Sequence, residues 1–271
     1  MLTGRTDWYH KEYHDIIEEM LAPNGSPKVF SDSNLINGKM DFDCSTVAPG
    51  DTAPCANNAG ISKFKFETGK THRLRLINSG ADGIQRFSID GHMLTVIAED
   101  FVPLKPYNTS VVTLAVGQRA DVLVTADVGK PDSAFWMRSF LASCSPANHR
   151  NGVAAVYYDQ ADTSVAPSSE GWDNQDLTTC TNEDLGVTEP LYPMPVPEPT
   201  FTQTMDIELY KNATNVTLWK FNGVSMRTDY NHPVLLQANE GNSTYPDEWN
   251  VVNYHTNTSV RIVVNNFGPV A

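Results

Sequence analysis

Between residues 29 and 160 the chain carries seven short runs, "VFSDSNLING", "SKFKFETG", "THRLRLINSG", "RFSIDGHMLTVIAED", "SVVTLAVGQRADVLVTAD", "AFWMRSFLA" and "GVAAVYYDQ". Each is a short run with β-branched or aromatic residues and is bounded by Gly, Asn, Asp or Pro, which is strand-and-turn punctuation. Strands at this spacing predict an all-β, Greek-key β-sandwich. At the far end Val260, Ile262 and Val264 alternate with other residues, the pattern of a half-buried strand. One segment reads differently. In "KEYHDIIEEMLA", Ile16, Ile17 and Met20 form a helical apolar stripe that Pro23 ends.

A chain of 271 residues has room for two β domains. From Ala161 the composition turns polar and acidic, and "EPLYPMPVPEP" holds five prolines in eleven residues, which favours an extended connector. The predicted organisation is a complete domain over residues 1–165, a Pro-rich, acidic linker over 166–200, and the first part of a second domain over 201–271. In that last part "TFTQTMDIELY", "NVTLWKFNGV", "WNVVNYHTN" and "SVRIVVNNFG" all read as strands, and only strands are expected there. A weak internal repeat links the two parts. "NLINGK" at Asn37 resembles "WKFNGV" at Asn222, and "HRLRLINSG" resembles "SVRIVVNNFG", at an offset of about 185 residues. The second copy therefore reads as partial, with its continuation expected after Ala271.

The formal charge of −13 repels phosphate backbones and anionic lipid, so nucleic acid and membrane surfaces are not expected partners. No stretch approaches the roughly 18 apolar residues of a membrane span, and the first residues lack the apolar region of a secretory leader. The body nevertheless reads as secreted. Glycosylation acceptors stand at Asn108, Asn212, Asn215, Asn242 and Asn257, and at Asn24, where Pro27 follows the motif. Cys44, Cys55, Cys144 and Cys180 form an even set with no Cys-x-x-Cys pair. That favours disulfides over zinc, with neighbours paired as Cys44 to Cys55 and Cys144 to Cys180. A secreted body without a leader implies that the natural N-terminus lies upstream.

No catalytic centre emerges from the residues alone. His10 and His14 have the i, i+4 spacing that a zinc site needs, but no Glu follows the first, and surface histidines are expected. The other histidines are scattered singly, with no His-x-His. Glu99 and Asp100 are neighbours in a strand and point to opposite faces. In "LAVGQRADVLV", Gly117 gives a turn and Arg119 is expected to pair with Asp121. No nucleophile elbow, phosphate loop or dinucleotide fingerprint is present.

The segments "TDWYH", "FSDSNLINGK", "GKTHRLRLINSG", "FSIDGHMLTVIAEDFVPLKP", "LAVGQRADVLV", "FWMR" and "LWKFNG", in this order, resemble the middle and early third domains of fungal laccases, within the multicopper oxidases. The resemblance covers nearly all of the chain. It implies cupredoxin-like sandwiches in a secreted glycoprotein that oxidises phenols or aromatic amines one electron at a time at a type 1 copper. It further implies a trinuclear copper cluster that reduces dioxygen to water. The family's ligands lie in two His-x-His motifs, a His-Pro-x-His-x-His-Gly and a His-Cys-His-x-x-x-His, and none of these occurs here. The expectation is that this chain alone binds no copper and is inactive, its partners being small phenolic substrates and the remaining portions of the first and third domains. The alternative is a non-catalytic secreted β-sandwich that acts as an interaction or scaffold module.

The resemblance also carries candidate substrate residues. Asp82, in "NSGADGIQ", stands where related laccases place an acid that binds the phenol and takes its proton, which suits a hydroxyl acidified by oxidation. The competing role for Asp82 is to cap a turn. Trp219, in "LWKFNG", matches an aromatic at the substrate mouth; the competing role is an ordinary core tryptophan. The family often has another aromatic two residues earlier, where Thr217 stands here inside the Asn215 sequon. Pro27 is a further rim candidate.

Overall fold

The structure, a computed structural model, describes residues 2–25, 29–172, 179–182, 184–227 and 229–268. Two compact units divide the chain, the first from Met1–Glu12 and Lys28–Pro193, the second from Tyr13–Pro27 and Met194–Ala271.

The first unit is built from β1 (Leu2–Trp8), β2 (Ser33–Ile36), β3 (Ser62–Lys65), β4 (Thr71–Asn78), β5 (Gln85–Ile89), β6 (Leu94–Glu99), β7 (Val102–Thr109), β8 (Val112–Leu114), β9 (Arg119–Thr125), β10 (Ala134–Leu141) and β11 (Asn151–Tyr157). They form a six-stranded sheet, ordered β2-β1-β4-β9-β6-β7, and a five-stranded sheet, ordered β3-β11-β10-β5-β8. The alternation in the sequence becomes alternation in burial: Leu74 and Leu76 of β4, Val122 and Val124 of β9, and Phe135, Met137 and Leu141 of β10 turn inward. With Phe66, Phe87, Ile89, Leu94 and Val96, all of these except Leu141 make one continuous core.

Two strands were not expected. β7 carries Pro103 and Pro106, which would argue against a strand, but it lies at the sheet edge, where the missing N–H groups break no ladder. β1 is polar along its inward face, with Thr3, Arg5 and Asp7 buried, and so lacks an apolar period. Beyond β11 the chain stays attached to the sandwich. Ser169 Oγ donates to Asp90, the Trp172 indole N–H donates to the Ile89 carbonyl, and Leu104 bridges Pro190 at the β7 edge. Residues 173–178 and 183 of the expected linker lie outside the described residues.

The second unit holds β12 (Phe201–Lys211), β13 (Thr217–Phe221) and β14 (Val260–Asn266) in a three-stranded sheet ordered β13-β12-β14, with α1 (Tyr13–Leu21) and α2 (Val234–Asn239). Two expectations need correction. α2 and the helical turn Asp247–Trp249 break the strands-only reading; Pro233 opens α2 and Gly241, at φ +87°, follows its end. The segment "WNVVNYHTN" is not a strand, and its Val251 and Val252 are exposed.

The repeat is visible in the pairing. β1 runs antiparallel to β2 and parallel to β4, and β12 runs antiparallel to β13 and parallel to β14. The Asn37-Gly38 turn (φ 51° and 74°) closes an Ile36–Lys39 bridge, and Asn222-Gly223 (φ 48° and 82°) closes Phe221–Val224. Positive φ at both central residues is what Asn-Gly supplies.

Candidate functional site

Asp82 lies on the loop between β4 and β5, and that loop is held at every backbone N–H from Ser79 to Ile84. Ser79 donates to the Arg5 carbonyl (2.9 Å) and Gly80 to Asn78 Oδ1 (3.0 Å). Ala81 donates to Asp7 Oδ1 (2.6 Å), while Asp82 (2.9 Å) and Gly83 (2.8 Å) donate to Asp7 Oδ2. Ile84 completes the set with Ser145 Oγ (3.0 Å). The Asp82 carboxylate itself accepts no hydrogen bond among the described residues. It does not cap the turn; Asp7, from β1, does that work.

Burial and the neighbouring charge of Asp7 hold the Asp82 carboxyl above the usual carboxylate range. Tyr9 sits beside the same pair, its hydroxyl 3.4 Å from Asp7 Oδ2. Burial and the charges of Asp7, Asp82 and Asp32 drive the Tyr9 phenol well above its ordinary value. The arrangement is chemically specific: an unpartnered carboxylate with raised proton affinity, presented on a loop with no free backbone donor.

Trp219 belongs to the second unit. Trp219 is 44% exposed. It packs over Gly268, where any Cβ would meet the ring at 2.8 Å. Leu218, on the opposite face of β13, lines a cleft of about 980 Å³ with Tyr210, Met226, Tyr230 and Trp249. That cleft had no signature in the sequence, because its walls come from α1, β12, β13 and irregular segments. Pro27 lies outside the described residues.

The cysteines close two disulfides, Cys44–Cys55 and Cys144–Cys180, so none offers the thiolate that a type 1 copper requires. Six of the seven histidines have side-chain partners of other kinds, and His255 stands exposed. His72 stacks on Phe66, His92 is buried between the Asp90 carbonyl (2.7 Å) and the Tyr158 hydroxyl (2.6 Å), and His149 spans the Asp32 carbonyl and Thr46 Oγ1. His14 faces Glu18, and His232 faces Asp229. The donor set of a laccase copper site therefore does not fit these residues. One mixed cluster, His10, Asp32 and Asp51, has ligand atoms within 4.8 Å of one another. It closes on itself: His10 Nδ1 pairs with Asp51 Oδ2 at 2.5 Å, the His10 backbone N–H reaches Asp32 Oδ2, and Asn148 donates to Asp32 Oδ1.

Arg119 and Asp121 do not pair with each other. Asp121 takes Arg73 across the β4–β9 ladder and Arg119 takes Asp100 at 2.9 Å, since cross-strand partners lie closer than residues two apart on one strand. Of the expected glycosylation acceptors, Asn108, Asn215, Asn242 and Asn257 are exposed, and Asn212 is half-buried with its Oδ1 accepting from Thr214 and Val216. No helix among the described residues is long and apolar enough to cross a membrane.

A family model described as multicopper oxidase matches residues 2–161. Oxidoreductase OpS5 of Beauveria bassiana is 32% identical over 273 residues, covering 96% of this chain and 44% of that protein. Laccase-2 of Botryotinia fuckeliana is 31% identical over 248 residues, covering 91% of this chain and 40% of that protein. Among solved structures, the laccase from Botrytis aclada superimposes with a TM-score of 0.80 at 29% identity, over 98% of this chain and 47% of that one. The chain thus spans a little under half the length of these relatives.

Proposed function

The chain belongs to the multicopper oxidase family, and from that premise we propose that it supplies the middle cupredoxin-like domain and the start of the third domain of a laccase-type enzyme. The activity of that enzyme is one-electron oxidation of phenols or aromatic amines, with dioxygen reduced to water. Within it, Asp82 receives the phenolic proton. The observation that carries this reading is the Asp82 carboxylate: unpaired, on a fully hydrogen-bonded loop, with its proton affinity raised by burial and by Asp7.

A phenol loses acidity-limiting electron density as it is oxidised, and its hydroxyl proton must leave with the electron. A carboxylate within hydrogen-bond reach accepts that proton in the transition state. Raised proton affinity improves the match between donor and acceptor, at the cost of requiring a higher pH for the ionised form. Trp219 offers an exposed indole face for an aromatic substrate. The copper chemistry belongs to ligand motifs outside this span, since the cysteines here are closed as disulfides and no His-x-His occurs. Taken by itself, the chain carries no oxidase activity. Export and glycosylation at the exposed Asn108, Asn215, Asn242 and Asn257 complete the reading.

The test is Asp82→Asn in the copper-loaded enzyme that contains this span. Oxidation of a phenol such as 2,6-dimethoxyphenol should fall about 10²-fold, while oxidation of ferrocyanide, which gives up an electron without a proton, falls far less. Equal loss on both donors, or no loss on either, would reject the assignment.

A further inference from the structure

We propose that Asp7 is a positioning residue for Asp82: its buried carboxylate gathers three consecutive backbone N–H groups and so fixes the loop that presents Asp82 to substrate. The inference rests on the proton-acceptor reading of Asp82. It adds a residue on a different element, 75 positions away, whose side chain holds the loop and whose charge bears on Asp82.

Asp7 is 4% exposed, and a carboxylate so placed needs hydrogen-bond donors to compensate its lost hydration. Among the described residues, no cationic side chain supplies them. The donors are the amides of Ala81, Asp82 and Gly83, at 2.6, 2.9 and 2.8 Å, which wrap the carboxylate as a backbone nest wraps an anion. The loop sequence "GADG" makes this possible. A Cβ at position 80 would collide with Asp7 Oδ1, and one at position 83 with Leu141 Cδ2, so a side chain at either position would have to displace Asp7 or Leu141 from where it now sits. Asn78 holds the other side, donating to the Gly83 and Leu114 carbonyls at 2.7 and 2.9 Å. Asp82 is left with one degree of freedom that matters, its own side chain.

The same geometry places two carboxylates at close quarters, Asp7 buried beneath the loop and Asp82 exposed on it, with the Tyr9 hydroxyl beside Asp7. The groups that face Asp82 are Asp7 and Tyr9, with Asp32 acting on Tyr9 from the start of β2. Repulsion from Asp7 therefore adds to burial in holding the Asp82 proton. Asp7 is thus both the mount of Asp82 and the charge that biases it.

Asp7→Asn separates these effects from catalysis. The amide keeps one carbonyl acceptor but loses the charge and the second acceptor oxygen. In the chain itself, carboxyl carbon NMR should show the Asp82 titration midpoint moving down by about one pH unit, and the amides of Ala81, Asp82 and Gly83 should exchange at least about tenfold faster. In the copper-loaded enzyme, the acid limb of phenol oxidation should move down with the NMR midpoint, and phenol kcat/KM should fall about tenfold more than that for ferrocyanide. An unchanged Asp82 midpoint with unchanged amide exchange overturns the inference. If instead both NMR readouts move while Asp82→Asn leaves phenol oxidation intact, the positioning stands and the proton-acceptor role fails. Should Asp7→Asn not fold, the wild-type amides decide: exchange of residues 81–83 at the rate of free loops overturns the inference, and protection matching β4 supports it.

Discussion

The guanidinium of Arg5 lies 4.7 Å from the centre of the Phe87 ring, fully buried, and none of its three nitrogens has a hydrogen-bond partner. A cation over a ring recovers part of the lost hydration, but far less than a paired carboxylate would. Burial pushes the Arg5 pKa down to about 9. Replacing this residue with an apolar one of similar length should therefore stabilise the fold. Arg5→Met is expected to gain about 1–4 kcal/mol in denaturant unfolding. The sign with pH follows from proton counts. Above about 9 the folded Arg5 sheds its proton while the unfolded chain keeps it, so the penalty shrinks as pH rises and is complete below. The stability difference between Arg5→Met and the wild type should be constant from pH 6 to 8 and narrow by pH 10. A loss of stability in Arg5→Met would contradict this.

His92 makes the complementary case. It is 1% exposed, its Nδ1–H donating to the Asp90 carbonyl and its Nε2 accepting from the Tyr158 hydroxyl, so the neutral ring is fully used. Burial lowers its pKa below the ordinary value. The unfolded chain then binds the proton more readily, and stability falls as pH drops below about 6.5 toward the folded value. His92→Phe takes away the acceptor of the Tyr158 hydroxyl, which keeps the Val128 N–H, and the donor to the Asp90 carbonyl, and should cost about 1–3 kcal/mol at pH 7. It should also flatten the stability slope between pH 5 and 6.5. Thermal unfolding of both proteins across that range checks each part.

The disulfide Cys44–Cys55 closes the short loop that carries Asp51, the partner of His10. Cys44→Ser with Cys55→Ser should lower stability by about 2–3 kcal/mol, mostly through the unfolded chain. The Cys144–Cys180 bridge instead ties residue 180 to the turn after β10, next to Ser145, the acceptor of the Ile84 amide. Reducing both bridges should lower Tm by more than the first pair of substitutions alone. An unchanged Tm on full reduction would show the bridges to be dispensable.

Much of this fold is legible where one face of a strand is apolar and the other is wet. β4, β9 and β10 announced themselves by period, and the repeat surfaced through two Asn-Gly turns whose positive φ few other residues tolerate. β1 was hidden because its inward residues, Thr3, Arg5 and Asp7, answer to tertiary partners and not to water. β7 was hidden by prolines that only an edge can hold. At the site, Asp82 could be found by likeness to a family, but Asp7 could not. Its role is written in distances between residues 7 and 81–83, and the only local trace is the pair of glycines that bracket Asp82. Neither glycine demands an anion until the strand is in place.

The second unit should be the weaker of the two. Among its described residues only Val216 is a buried apolar side chain, while Ile262, Val263, Val264 and Phe267 remain exposed on and beside β14. The first unit encloses a continuous core between two sheets. A three-stranded sheet with so little buried apolar surface cannot offset the entropy of ordering its chain by a wide margin, and β14 is an edge with apolar side chains in water. Limited proteolysis of the chain should therefore cut within residues 194–268 first and leave a resistant fragment spanning the first sandwich. Charged substitutions on β14, Ile262→Lys with Val264→Glu, should reduce self-association measured by light scattering without altering unfolding of the first unit. Cleavage that begins within residues 29–172 would reverse the order of stability argued from burial.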